Sequence, residues 1–430
     1  MSFDNLTGQQ CNSLFVMLRK LVQINTVANW GSTGRIADGI GQIAMQNGWD
    51  SHIAYGRFAR PSTNHLIRIG SDWDNKKHGI LSYLKDSQGL GSITATSQFI
   101  RLLEKIRPNI LHLHNIHGYY INYELLFDYI KESGIPTFWT LHDCWSFTGH
   151  CTYFIACGCE KWKTGCNNCP QKLSYPRSFV DRSTRNFNLK RKCFTGIKNL
   201  TLIPVSDWLY RQVEQSFMSD YNIMTIHNGC NIEIFRPSES DIRKRYGLQG
   251  KRIIVAVASL GFGERKGFDD LVTLRKILGN QYVIIMVGCS KHEIKQLPEG
   301  IIGLERTENI EELRDLYATA DIFVNPTHED NFPTTNIEAL ACGTPVVTYN
   351  TGGSPESILD ESGTIYGAVT KENSPGSLAN TIEMFCHQYL DDKHTYSLLS
   401  RNCRQRAELC FDEKKQFQKY VDLYDEVIGG

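Results

Sequence analysis

Residues His328 to Glu356, HEDNFPTTNIEALACGTPVVTYNTGGSPE, hold spaced acids, a helix start, a buried strand and a glycine turn in one continuous unit. Asp330 and Glu338 stand eight positions apart with the turn residues Asn331, Phe332 and Pro333 between them. This spacing predicts Asp330 in a loop and Glu338 on the first turns of a helix that runs through Asn336 to Cys342. Gly343, Thr344 and Pro345 stop that helix, Val346 to Tyr349 reads as a buried strand, and Gly352-Gly353 opens a tight turn before another helix. Glycine turns of this kind let backbone N–H groups approach a phosphate at a helix N-terminus. Acids for hydroxyls beside a phosphate turn point to a sugar-nucleotide site.

On either side of this unit, short apolar runs alternate with helix-length amphipathic segments, the pattern of parallel sheets with crossover helices. Strands are expected at Leu21 to Val27, His52 to Tyr55, Asn109 to Leu113, Thr137 to Thr140 and Leu202 to Val205. A second series follows at Ile253 to Ala258, Tyr282 to Val287, Ile322 to Asn325 and Pro345 to Tyr349. The fold class is therefore α/β, with two doubly wound sheets. A chain of 430 residues is long enough for two such cores. The turn-rich segment Ile226 to Pro237 separates them and places the boundary near residue 238, giving domains 1–237 and 238–410. Residues 1–16 read as an extension, with Met17-Leu18-Arg19-Lys20 leading into the first strand. Phe417, Tyr420, Val421, Tyr424, Val427 and Ile428 recur at helical spacing, so the last helix, within 411–430, buries one stripe.

The 46 basic and 46 acidic residues cancel, which argues against nucleic acid as a partner. No apolar run of about 20 residues appears and the N-terminus lacks the charged start and apolar core of a signal peptide, so a cytoplasmic location is expected.

The stretch at 328–356 resembles the nucleotide-sugar signature of retaining glycosyltransferases with the GT-B fold, in the large family that includes bacterial polysaccharide-building enzymes. The resemblance implies two Rossmann-like domains facing a cleft, with the last helix crossing back onto the first. It also implies a UDP- or GDP-sugar donor, a glycan or lipid-linked acceptor and no catalytic metal. In that family the first acid touches donor-sugar hydroxyls and the second holds the ribose, which assigns these roles to Asp330 and Glu338. The family usually has glutamate at the first position, so the contact stands open between Asp330 and Glu329. Further donor contacts are implied at Gly34, Thr335, Asn336, Gly352 and Gly353.

The loop Ser259 to Gly267 follows a strand and precedes a helix, and its Arg265 and Lys266 are the candidate cations for a departing nucleoside diphosphate. The family commonly carries its arginine several residues earlier. In the first domain, Asn25 to Arg35 is a glycine-bearing βα loop without the G-x-G-x-x-G fingerprint of a dinucleotide cofactor. Asn115, His117 and Gly118 follow a strand as acceptor candidates, or as plain structural groups. His142 ends a strand where open α/β sheets bind ligands, and the His142-Asp143 pair resembles a family motif facing the donor sugar. Its implied role is a hydrogen bond to a sugar hydroxyl, with general base chemistry the alternative. A double displacement and a front-face transfer are both open to the residues, and the resemblance favours the second.

Six of the 14 cysteines fall between Cys144 and Cys169. Cys151, Cys157, Cys166 and Cys169 read C-x5-C-x8-C-x2-C, which fits a structural zinc or free thiols, with His150, Cys144 and Cys159 as substitute ligands. Similar insertions are typical of an exopolysaccharide branch of the family. From Arg177 to Lys198, basic residues interleave with Phe187, Leu189 and Phe194, a face that either meets anionic headgroups of the inner membrane or is merely solvated. The competing readings are a catalytically inactive sugar-binding or scaffold protein, a nucleotide-sugar epimerase, and an NAD-dependent oxidoreductase.

Overall fold

The computed structural model describes residues 19–259 and 261–429. The expected extension at 1–16 lies outside the described residues. The first domain is a seven-stranded sheet of β1 (Arg19–Asn25), β2 (Trp49–Tyr55), β3 (His65–Arg68), β4 (Ile110–Leu113), β5 (Thr137–Leu141), β6 (Leu200–Pro204) and β7 (Asn222–Ile223), in the order β3-β2-β1-β4-β5-β6-β7. The second is a six-stranded sheet of β8 (Arg252–Val257), β9 (Tyr282–Val287), β10 (Ile301–Leu304), β11 (Ile322–Asn325), β12 (Val346–Thr348) and β13 (Gly367–Val369), in the order β10-β9-β8-β11-β12-β13. The pairings within both sheets are parallel. Helices cover both faces, which is why central strands such as β5 (TFWTL) and β9 (YVIIMV) are buried at every position.

The strand order reverses beside β1 and β4 in one sheet and beside β8 and β11 in the other. Such switch points leave a crevice at the carboxyl ends of the strands. The loops that follow β1, β4 and β5 and those that follow β8, β11 and β12 are therefore the ones free to meet.

The last helix, Glu413–Gly429, returns to the first domain. Its Phe417, Tyr420, Val421 and Tyr424 share a core with Leu21, Ile36, Ile40, Trp49 and Phe138, and each such burial stabilises by about 1.5–3 kcal/mol. A Cβ on Gly39 would lie 2.2 Å from the Phe417 ring, so glycine is what admits the helix here. Arg19 and the Trp49 indole bind Asp425 at 2.7 and 3.0 Å, and the Tyr424 hydroxyl meets His112 Nδ1 at 2.6 Å.

The stretch 177–198, read as a face for anionic headgroups or as a merely solvated one, keeps Arg182, Arg185, Arg191, Lys192 and Lys198 exposed and turns other side chains inward. In the helix Ser183–Phe194, Phe187, Lys190 and Phe194 are buried. Phe187 packs edge-on against Phe217, and Phe194 stacks among Tyr123, Phe127 and Trp139. These aromatics complete the core of the first domain and are closed to lipid.

Candidate active site

The wall of the cleft contributed by the second domain is charged. Lys266 and Asp330 form an ion pair, and Arg265 Nη1 donates to the Glu329 carbonyl at 3.0 Å. The loop holding these cations reaches the helix Phe268–Ile277 through Gly267, whose φ is +74° and on which a Cβ would lie 2.4 Å from the Pro326 carbonyl oxygen, so no side chain fits. The amides of Phe262 and Gly263 are taken by Glu293 Oε1 at 3.0 and 2.8 Å. The side chains of Arg265 and Lys266 are therefore what this loop presents to an anion.

Glu338 lies on the helix Thr334–Ala341 and accepts from the Tyr317 hydroxyl at 2.9 Å. Burial raises its pKa, opposed by that hydrogen bond and by Arg35 on the facing domain. Glu329 is also raised by burial; its Oε1 accepts from the Ala156 amide at 3.1 Å. Of the two neighbouring acids, Asp330 is the one on the cation and Glu329 the one tied to the opposite domain. Thr335 is half-buried beside them.

Asn336 has a different job from the expected donor contact. Its side chain is fully buried, accepting from Asn325 at 2.8 Å and donating to Ser354 O at 3.3 Å and Ser357 Oγ at 3.1 Å. It braces the acid helix against the glycine turn. In that turn, a Cβ on Gly352 would lie 1.7 Å from the Asp330 carbonyl and one on Gly353 2.1 Å from the Asn331 carbonyl. The glycines thus seat the turn on the acid loop. Gly34, buried near the start of the helix Gly31–Gln46, lies under the loop after β1, 3.3 Å from the Val27 carbonyl on the same measure.

The wall contributed by the first domain is polar and largely uncharged. His114, Asn115, His117, His142 and Asp143 line a cavity of about 190 Å³ at the ends of β4 and β5. Gln23 Nε2 donates to the Ala37 carbonyl at 2.7 Å, so its Oε1 faces His114 Nε2 at 3.1 Å as an acceptor. His114 Nε2 therefore carries a proton, its Nδ1 accepts, and His142 Nε2 donates to it across 3.1 Å. Burial lowers His142 to about 4 and His112 to about 3, and holds His114 well below its ordinary value. His142 thus presents a neutral ring with its Nδ1 lone pair available.

Asp143 is committed on both oxygens, to His117 Nε2 at 2.7 Å and the Trp145 amide at 2.9 Å. Burial pushes its pKa up, and His117 with these hydrogen bonds outweighs that to leave it below the usual carboxylate range. His117 Nδ1 meets the Tyr175 hydroxyl at 3.1 Å, which Gln88 holds at 3.1 Å. Gly118, at φ +110°, packs on Thr26, whose hydroxyl donates to the carbonyls of Asn115 and His117. Sequence reading missed Gln23, although a polar residue interrupting the apolar stretch Leu21-Val22-Gln23-Ile24 is a signal for a buried partner.

Several contacts cross the cleft. Asn331 Nδ2 donates to the His142 carbonyl at 2.7 Å. Arg265 stacks on Tyr153 with 5.0 Å to the ring centre. Glu356 accepts from the amides of Asp207 and Trp208 at 2.8 and 2.5 Å, capping a helix of the other domain, and meets His227 at 3.2 Å. Among the described residues, Asp207, His227 and Glu356 are the metal-ligand types whose atoms lie within 4.8 Å of one another.

Of the four thiols named in sequence, Cys151, Cys166 and Cys169 line one partly open cavity and Cys157 does not. Cys157 is exposed and bonded to the Phe154 carbonyl at 3.3 Å. Cys159 takes its place in the cavity wall. In a loop without regular secondary structure, cysteine spacing does not reveal which way a thiol points.

Residues 238–406 match the family described as glycosyl transferases group 1. The provisionally assigned colanic acid biosynthesis glycosyl transferase WcaC of Escherichia coli (strain K12) is 24% identical over 426 residues, 95% of this chain and 100% of its own length. Sucrose-phosphate synthase of Thermosynechococcus elongatus superposes with a TM-score of 0.67 at 17% identity, over 96% of this chain and 99% of its own. HepE of Anabaena, solved with UDP-glucose, does so at 0.63 and 14% identity, over 95% and 99%. Two facing parallel sheets and a matched second domain give one conclusion: residues 238–406 carry a glycosyltransferase group 1 domain, within a chain of GT-B fold.

Proposed function

We propose that the chain is a retaining glycosyltransferase that moves a hexose from a UDP- or GDP-sugar to a saccharide acceptor, lipid-linked, in bacterial surface polysaccharide synthesis. The observation that carries this reading is the Lys266–Asp330 pair with Arg265 beside it, facing the neutral His142 across the cleft. Breaking the anomeric bond leaves negative charge on the departing diphosphate, and preorganised cations stabilise that charge in a cleft poor in water. Asp330 reaches the hydroxyls of the donor sugar, Glu338 the ribose, and His142 Nδ1 accepts from a sugar hydroxyl.

Asp143 is held on both oxygens and is not free to attack the anomeric carbon. The reading is the front-face transfer that the family resemblance favours. The acceptor oxygen bonds the anomeric carbon on the face the diphosphate leaves, and the acceptor proton passes to a departing phosphate oxygen. Retained stereochemistry follows. Of the acceptor candidates, Asn115 alone offers a side chain without a partner in the described structure; His117 and Gly118 shape the wall. WcaC and UDP-bound HepE support the surface-polysaccharide and nucleotide parts of the proposal.

No helix among the described residues is long and apolar enough to cross a membrane. A lipid-linked acceptor would be met at the cytoplasmic face by the helix Asp72–Lys85, where Trp73, Ile80 and Leu84 are exposed on one side with Lys76, Lys77 and Lys85 nearby. Co-sedimentation with anionic vesicles that survives Trp73→Ala/Ile80→Ala would remove this part.

The test of the main reading is mass spectrometry of purified protein with UDP- and GDP-sugars and short glycan acceptors. An acceptor mass gain of one hexose from one donor, with α-to-α retention by NMR, is the expected result. Failure of every donor to bind or react would sink it.

A further inference from the structure

A cavity of about 260 Å³ in the first domain is walled by Cys151, Cys159, Cys166, Cys169, Trp162 and His150. Four thiols around one space need a reason, and three neighbouring groups supply it. His150 is fully buried at its side chain, with Nδ1 held by Asp86 at 2.6 Å, yet its Nε2 has no hydrogen-bond partner among the described residues. A buried imidazole nitrogen left bare costs free energy unless something meets it, and what its cavity contains is sulfur. Lys190 is 2% exposed and its Nζ donates only to the carbonyls of Trp145 and Thr148, at 2.6 and 3.0 Å, over the Trp145 ring. Among the described residues it has no carboxylate within 4.0 Å, and buried charges ordinarily carry a counter-charge. Finally, the Gly149 amide already donates to Cys166 Sγ at 3.2 Å.

We propose that this cavity is a structural zinc site whose ligands are the thiolates of Cys151, Cys159, Cys166 and Cys169, with His150 and Lys190 as its buried cationic and hydrogen-bonding supports. On binding, the four thiols release four protons to solvent and form four Zn–S bonds of about 2.3 Å in a tetrahedron. The complex carries two net negative charges. Lys190 answers that charge, the His150 Nε2–H and the Gly149 amide donate to sulfur, and Asp86 fixes the imidazole from behind, as carboxylates do at metal sites. No three of the ligand atoms here lie within 4.8 Å of one another. Binding draws the sulfurs together by rotation about their Cα–Cβ bonds, each a choice among staggered positions, and so tightens the loop.

That loop also carries Tyr153 and Ala156, which hold Arg265 and Glu329 of the other domain. The metal would thus set the edge of the cleft at a distance. The inference does not rest on the transferase reading, because its evidence lies in the cavity alone.

The test is elemental analysis of untagged protein purified without chelator, with cobalt substitution as the second readout. About one zinc per chain is expected in the wild type and in Cys157→Ser, and loss to background in Cys159→Ser and Cys169→Ser. Cobalt in the wild-type protein should give the intense visible bands of a tetrahedral thiolate site, a reading that needs no variant to fold. A folded, metal-free wild type that shows no such bands on cobalt addition overturns the site. Zinc lost in Cys157→Ser and kept in Cys159→Ser overturns the ligand assignment.

Discussion

The two walls of the cleft solve opposite electrostatic problems. The second domain gathers charge: Arg265, Lys266, Glu329, Asp330 and Glu338 stand on loops and one helix start, each partly satisfied by a partner that a substrate could replace. The first domain suppresses charge. Its histidines at 112, 114 and 142 sit side by side, His114 bonded to His142 and Gln23 and His112 to Thr140 and Tyr424, and burial keeps them neutral. A leaving diphosphate wants fixed positive charge, whereas a sugar hydroxyl wants an oriented acceptor that does not ionise.

Removing the charged wall should have the largest effect. Lys266→Ala is expected to lower kcat at least about 100-fold, the scale of losing one preorganised charge-stabilising group, with thermal stability little changed; near wild-type turnover would reassign the role to Arg265. Glu338→Gln keeps the shape and the Tyr317 partner while removing the charge. It should raise the donor KM by about 10-fold, the scale of one hydrogen bond to a charged group, with a smaller change in kcat, and an unchanged KM by steady-state kinetics would detach Glu338 from the ribose.

The uncharged wall is broken more gently. Gln23→Leu removes the acceptor that holds the His114 proton on Nε2, freeing His142 to adopt the other tautomer. A kcat loss of a few-fold, about 1 kcal/mol, restored in part by Gln23→Glu, is expected; equal loss in both variants would mean a packing effect.

The remaining effect is on stability. His142 and His78 fall from 6.5 to about 4, and His112 to about 3. Between those values the unfolded chain binds protons that the native one refuses, so stability rises with pH there. It is fully present above about 6.5 and is lost on acidification toward 4, by at most about 1.4 kcal/mol per pH unit for each histidine. Differential scanning fluorimetry should show Tm falling from pH 7 to 5; a flat Tm would contradict neutral burial of the row.

Much of the architecture was legible in the chain because central parallel strands are buried on both faces and must read as unbroken apolar runs. β5, β8, β9 and β11 read this way over most of their length, whereas β1 and β2 carry buried polar residues such as Gln23 and Ser51 inside their runs. The strands that went unread, β3, β7, β10 and β13, are edges or lie beside them, with half-open patterns such as HLIR and GAV. With only one face covered, no run is required. The same logic applies at the site. Asp330, Glu338, Arg265 and Lys266 were singled out because turn and cap residues indicate where a loop ends and a helix begins. Asn336 was placed at the donor by its neighbours, but its buried partners Asn325, Ser354 and Ser357 are 11 to 21 residues away in sequence.

The sequence by itself determined two parallel sheets, the acid-and-glycine unit at 328–356 and a cation loop before it, since periodicity and turn chemistry act over a few residues. Only the tertiary structure decided that Glu356 caps the opposite domain, that Lys190 and Phe187 are core rather than surface, and that Cys159, not Cys157, faces the cavity. In segments without a repeat, the direction of a side chain is chosen by contacts distant along the chain, and no local spacing records them.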